Sequence, residues 1–326
     1  MSTTILADRY NTLRNRVNLV LGQSTVASPS YGYGQTFNTS GVQGTRSTAI
    51  TSASKVTAED YENLYIDLIR VRSHQVGSAV AVQEFVVGDY ETNAETTDKV
   101  EEAYILGLES LATNITNSRF NVASENLVVA PLPVSSTRSS SAWSNKIWHI
   151  FTVTFNTVIE RQHWFNAGGQ IRFGASVNYT GSQPKSVDWQ NMLGTMGTTA
   201  FKAETTTNTL GIGTSTNIGN YDLSNTYQQV YARSSGSVYN NNVYKIFAAE
   251  SATADNTSAI QFKVEMVDGN PANPIDGIDE FVIGTFNSII EVAVPSSEIT
   301  INGTVHEAVS IDYAPDTNLI RPLSGS

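Results

Sequence analysis

Histidines and a run of oxygen donors are the residues of this chain whose chemistry could be put to use. The four histidines are His74, His149, His163 and His306. None stands in a His-x-x-x-His or His-Glu-x-x-His arrangement, the spacing that places two imidazoles on one helix face, so the pattern excludes a helical zinc site. His149 shares the apolar parity of its strand and reads as a core histidine. His163 is expected at a strand end, where Glu160 and Arg161 would form a local ion-pair cluster with it. Asp268-Gly-Asn270-Pro-Ala-Asn273-Pro-Ile-Asp276-Gly-Ile-Asp279-Glu280 gathers hard oxygen ligands of the kind calcium takes, but its spacing departs from an EF-hand and the same residues build any long turn. No Gly-x-Ser-x-Gly elbow accompanies the serines. Cysteine is absent, which removes disulfides, thiolate nucleophiles and cysteine-ligated metals together. No residue is assigned as catalytic, cofactor-binding or metal-ligating, no cofactor is implied, and a non-enzymatic protein is expected.

Around these residues the elements follow from periodicity. Lys146 to Tyr179 reads as two alternating strands joined in a hairpin through Asn166-Ala-Gly-Gly169, with Ile147, Phe151, Val153 and Phe155 on one parity of the first. Ile171, Phe173, Ala175, Val177 and Tyr179 share one parity of the second. The glycines would supply the φ > 0 that such a turn needs. Further strands are expected at 227–233, 243–249, 260–267, 281–286, 289–294, 299–301 and 305–313, at the spacing of a sandwich. One helix interrupts them, with Asp188 as N-cap and Trp189, Met192, Leu193 and Met196 on the face that plugs the sandwich.

The first 120 residues carry three helical seams: Leu6, Tyr10, Leu13, Val17 and Val20; Tyr61, Leu64, Leu68 and Val71 behind a Thr57/Asp60 capping box; and Val100, Tyr104, Leu108, Leu111 and Ile115. Gly22 and Gly77 mark two of the stops. Narrow seams of this kind bury against other helices, either of the same chain or of neighbouring copies. Between the first two helices, residues 24–54 form a Ser/Thr/Gly/Gln-rich segment long enough to suggest a partner-bound loop. The proline and serine run from Pro131 to Ser141 is the expected boundary. The fold class is therefore α+β: a helical assembly region over residues 1–135, then an antiparallel β-sandwich domain over residues 136–326.

At 326 residues with 40% apolar content the chain can fill a sizeable core, and its formal charge of −11 would repel a phosphate backbone. Nucleic acid and anionic membrane are poor partners for such a surface. Met1 to Asp8 lacks the basic and apolar pattern of an export signal, and no run approaches a membrane span. The Asn-x-Ser/Thr sequons at Asn38, Asn114, Asn178, Asn256 and Asn302 therefore read as chance products of composition. Tyr239 to Asn242, Asn217 to Tyr227 and Ser234 to Ser237 are rich in the Asn, Ser and Tyr that make hydrogen-bonding surfaces for carbohydrate or protein.

Taken in order, several segments bear a resemblance: Tyr10 to Gly22, Gly32-Tyr-Gly-Gln35, Val56 to Leu64 leading to His74-Gln75, Trp164 to Phe173, and Asp188-Trp-Gln-Asn-Met-Leu193. Together they resemble virion structural proteins of contractile-tailed bacteriophages, notably those infecting cyanobacteria. The resemblance implies a structural or adaptor component of the tail, neck, baseplate or fibre apparatus, assembled in the host cytoplasm. It implies a homo-oligomer, trimeric first and hexameric second, in contact with other virion proteins. The alternative is a receptor-binding module that recognises host surface glycan through the Asn- and Tyr-rich loops.

Overall fold

The computed structural model describes residues 7–22, 32, 45–51, 54, 56–77, 102–129, 134–138, 142–236, 238–251, 258–270, 281–296, 298–301, 304–307 and 321–325. Two compact units divide the chain. The first comprises Met1–Val128, Asn166–Gly168 and Pro295–Asp312, and the second Val129–Phe165, Gly169–Val294 and Tyr313–Ser326. The chain thus returns to its first unit twice, which a single boundary near residue 135 does not capture.

Three helices make the core of the first unit: α1 (Ala7–Leu21), α2 (Ala58–Val76) and α3 (Glu102–Asn117). Their seams meet one another. Tyr10, Leu13, Val17 and Val20 join Tyr61, Leu64, Leu68 and Val71, and Leu108, Leu111 and Ile115, in one buried cluster. On α3 the stripe passes through Ile105 in place of Tyr104, which is only half-buried. Leu6 and Val100 lie outside the described residues. The capping box of α2 is present: Thr57 accepts from the Asp60 amide, the Asp60 carboxylate accepts from the Thr57 amide at 2.7 Å, and Gly77 closes the helix at φ 70°. Because the seams already bury one another, facing copies are not needed to cover them.

Part of the long polar segment is held within the unit. Asn11 on α1 exchanges two hydrogen bonds with the Ile50 backbone, donating at 2.7 Å and accepting at 3.0 Å. Asp67 on α2, fully buried, accepts from the Arg46 and Ser47 amides at 2.9 Å each and from the Ser47 hydroxyl at 2.7 Å. Residues 45–51 therefore need no partner chain to order them. Tyr33 to Gln35 lie outside the described residues.

The strands are β1 (Leu127–Val129), β2 (Val134–Arg138), β3 (Asn145–Thr154), β4 (Gln170–Asn178), β5 (Thr199–Phe201), β6 (Thr206–Asn208), β7 (Thr214–Ser215), β8 (Gln228–Ser234), β9 (Val243–Glu250), β10 (Ala259–Asp268), β11 (Thr285–Pro295), β12 (Glu298–Ile301), β13 (Thr304–Glu307) and β14 (Arg321–Gly325). In the second unit one sheet runs β11-β4-β5-β6, with β2 also paired to β11, and the other runs β14-β3-β10-β9-β8-β7. Phe173 on β4 and Phe201 on β5 both meet Phe262 on β10, with ring centroids 4.9 and 5.1 Å apart, so the two antiparallel sheets face each other as a sandwich. β11 covers the expected strand 289–294 and only the last two residues of the expected 281–286, of which Val282 makes an isolated bridge to Trp143. The pair β12 and β13 belongs to the first unit.

The expected hairpin does not form. β3 pairs with β10 and β14, β4 pairs with β11 and β5, and a helix, α4 (Val158–Asn166), separates them. A second capping box explains this: the Thr157 hydroxyl accepts from the Glu160 amide at 3.1 Å, and the Glu160 carboxylate accepts from the Thr157 amide at 3.2 Å. That pattern starts a helix where the alternation ends. Positive φ is found at Gly168 (92°) and not at Gly169.

The helix α5 (Pro184–Gly194) begins four residues ahead of the expected cap, with Gln183 at the N-cap and Pro184 at the first helical position. Proline suits that place because its missing N–H has no partner to lose. Trp189, Met192, Leu193 and Met196 are buried as expected.

Candidate functional site

Among the described residues of the second unit, a buried polar cluster lies at the start of the oxygen-rich loop. Asp268 ends β10, and its carboxylate Oδ2 is 3.0 Å from the Nζ of Lys185, which also donates to the Asn270 carbonyl at 2.9 Å. The Lys185 side chain is 0% and that of Asp268 2% exposed. Two of the hard oxygen donors noted in that loop, from Asp268 and Asn270, thus hold the chain's own ammonium. Asn273, Asp276, Asp279 and Glu280 lie outside the described residues. Lys185 stands in the first turn of α5, where the helix dipole disfavours a cation, so the buried carboxylate and carbonyl are what make its position tolerable. Asn242, fully buried, completes the cluster: with its nitrogen turned toward Asp268 it donates to Oδ1 at 2.9 Å, while its oxygen accepts from the Trp189 indole at 3.2 Å.

One turn further along α5, a shallow hollow of about 300 Å³ opens between Asp188, Asn191 and Thr195 on one side and Arg233, Ser235 and Gly236 on the other. Arg233 donates to the Thr195 hydroxyl at 2.8 Å and Ser235 to the Asp188 carboxylate at 2.7 Å. Its wall includes the Ser-rich turn that the sequence offered as a hydrogen-bonding surface. In the first unit another hollow, of about 420 Å³, lies along α1 and α3 beside Arg9, Arg16 and Glu109. Arg9 bridges Glu102 at 2.8 Å and Glu109 at 2.9 Å, and that guanidinium holds the Glu109 carboxyl below its ordinary range.

The histidines are spread over four elements: His74 on α2, His149 on β3, His163 on α4 and His306 on β13. His149 faces inward with Ile147, Phe151 and Val153, as expected for a core position. His163 belongs to a helix and not a strand end, and the expected cluster is not formed: Glu160 caps the helix, while Arg161 reaches Glu250 on β9 at 2.8 Å. Burial pushes both His74 and His163 down to about 4. A neutral imidazole in the folded state and an ordinary one near 6.5 in the unfolded chain mean that stability is full above about pH 6.5 and is lost as pH falls toward 4. Each histidine is expected to remove up to about 3 kcal/mol over that window. Urea unfolding at pH 7 and pH 4.5 measures this, and His74→Gln should flatten the slope by about half. Asp67 acts in the opposite sense, because burial raises its carboxyl against the hydrogen bonds from Arg46 and Ser47.

Sequence reasoning missed Asp67 and Lys185. Asp67 had a signal, since it falls between Leu64, Leu68 and Val71 on the apolar stripe of α2, where a carboxylate must be satisfied from within. Asp67→Asn leaves one acceptor oxygen for three donors and turns an N–H toward an amide. It should cost about 2 kcal/mol or more, read as loss of helical ellipticity at lower denaturant. An unchanged midpoint would show that residues 45–51 are not fastened there.

Among the described residues, no group of three or more His, Cys, Asp or Glu side chains converges as a metal site, and no helix is long and apolar enough to cross a membrane. The fold is that of an α+β protein in which a helical unit accompanies two facing antiparallel sheets. No protein-family model, curated protein or solved structure matches the chain.

Proposed function

We propose that this protein is a non-enzymatic structural or adaptor component of a tailed-bacteriophage virion, in its tail, neck, baseplate or fibre apparatus. The observation that carries the reading is where the resembling segments fall. Val56 to Gln75 is the capped helix that fastens residues 45–51, Trp164 to Phe173 leads from α4 into β4, and Asp188 to Leu193 lies in the helix bearing the buried Trp189. Each is a joint of the scaffold. The charged groups support the same reading, because Arg9, Arg161 and Lys185 are each committed to a carboxylate of this chain.

A homotrimer, with a hexamer second, accompanies this proposal. Its support is Leu19 on α1 and Leu106 on α3, which stay 53% and 54% exposed on the helical unit and offer apolar surface to a copy or to another virion protein. The virion is the proposed location, after assembly in the host cytoplasm. Light scattering on the purified full-length protein tests the oligomer; a persistent 35.3 kDa monomer at micromolar concentration would count against it.

The hollow beside Arg233 favours a second reading, a receptor-binding module for host surface glycan. Its lining of guanidinium, carboxylate, amide and hydroxyl is the donor and acceptor mixture that sugar hydroxyls pair with. Glycan-array binding that Arg233→Ala abolishes would favour it over the scaffold reading.

A further inference from the structure

We propose that Lys185 and Asp268 become joined by an isopeptide bond that the folded protein forms on its own. Both side chains are shut away from water, and the nucleophile is already 3.0 Å from an oxygen of the carboxyl group it would attack. Holding two reactants in such contact supplies a large effective concentration, and no competing water dilutes it. The Asn270 carbonyl accepts a second Nζ proton at 2.9 Å and so fixes the direction of the nitrogen. With its nitrogen turned toward Asp268, the Asn242 amide donates to Oδ1 at 2.9 Å, where negative charge develops during attack, and in that orientation the Trp189 indole holds the amide in place. Trp189 in turn packs on Trp143 and Phe286, with centroids 5.7 and 6.0 Å away.

The step needs no cofactor and no redox partner. One ammonium proton passes to Oδ2 along the existing hydrogen bond, and the freed lone pair attacks the Asp268 Cγ, pushing the carbonyl π pair onto Oδ1. Collapse re-forms that carbonyl and expels Oδ2, which leaves as water with a second proton taken from the attacking nitrogen. An ammonium and a carboxylate have become a neutral amide and one water. Two buried charges disappear with them, which removes their desolvation cost. The link spans 83 positions from α5 to the end of β10, so it restricts the unfolded chain in the way a disulfide does, in a protein that has no cysteine.

Intact-mass measurement of the denatured full-length protein tests this without any variant. The expected mass is about 18 Da below that of the sequence, the loss of one water. Tandem spectra should show a branched pair of peptides joined through Lys185 and Asp268. Lys185→Arg, which keeps a positive charge, and Asp268→Ala should both return to the sequence mass, and Asn242→Ala should leave an unreacted fraction. The full sequence mass in the wild-type protein would overturn the proposal and leave an ion pair. A loss of about 17 Da would also overturn it, since ammonia release means an asparagine acceptor. So would a loss of about 18 Da carried by a linear peptide, because Asp268-Gly269 can close to a cyclic imide without any lysine.

Discussion

Trp189→Ala is expected to destabilise the sheet-rich unit by about 3–5 kcal/mol, the range for deleting a fully buried aromatic and leaving part of the cavity open. Trp189 is 0% exposed, edge-on to Phe286 and tilted against Trp143, and its indole donates to Asn242 when that amide turns its nitrogen toward Asp268. The alanine removes the ring from that cluster and releases the amide that orients toward Asp268. Chemical denaturation followed by tryptophan fluorescence and circular dichroism measures the loss. A change below about 1 kcal/mol, ordinary for a surface position, would mean that α5 does not plug the unit.

Gly169→Val should be nearly as costly, about 3 kcal/mol or more, through overpacking. The reason differs from the one the sequence suggests. Gly169 does not need positive φ; a Cβ there would run into the Trp164 ring and come within 2.7 Å of the Trp164 carbonyl oxygen. Backbone cannot move aside cheaply. Gly168 carries the positive φ, 92°, and a Cβ on it would meet Val122. Gly169→Ala is therefore the informative control: a substantial fraction of the valine effect points to the close approach, whereas wild-type stability of both variants would contradict the contact with Trp164.

The alternation that made Lys146 to Thr154 and Gln170 to Asn178 legible as strands was a sound local signal, since both are strands with buried faces. Their pairing was not legible. Register and partner depend on which distant strands share a face, and β3 finds β10 across more than a hundred positions. The same alternation concealed α4, whose start is written in Thr157 and Glu160 and in no hydrophobic period. Helices α1 to α3 were readable because their seams repeat over several turns and α2 carries its own cap. That those seams meet each other is a tertiary fact, and periodicity alone is equally consistent with copies meeting around an axis.

For the polar clusters the sequence showed residue types and not partners. Asp268 and Asn270 were visible as oxygen donors, but the cation that satisfies them comes from Lys185, in the first turn of a helix 83 positions earlier. Trp189, by contrast, was legible as a core residue from its place on the apolar face of α5. The hollow beside Arg233 required two segments 38 positions apart to be brought together, and only its serine-rich rim was apparent beforehand.

A density map of purified phage particles, with proteins identified by mass spectrometry of the same preparation, tests the central claim most directly. The chain is expected in the purified particle, with its sandwich and three-helix unit traceable in symmetry-related copies, three to a ring or six. Particles that carry no copy of this chain, from infections whose lysates contain it in quantity, would contradict a structural role in the virion.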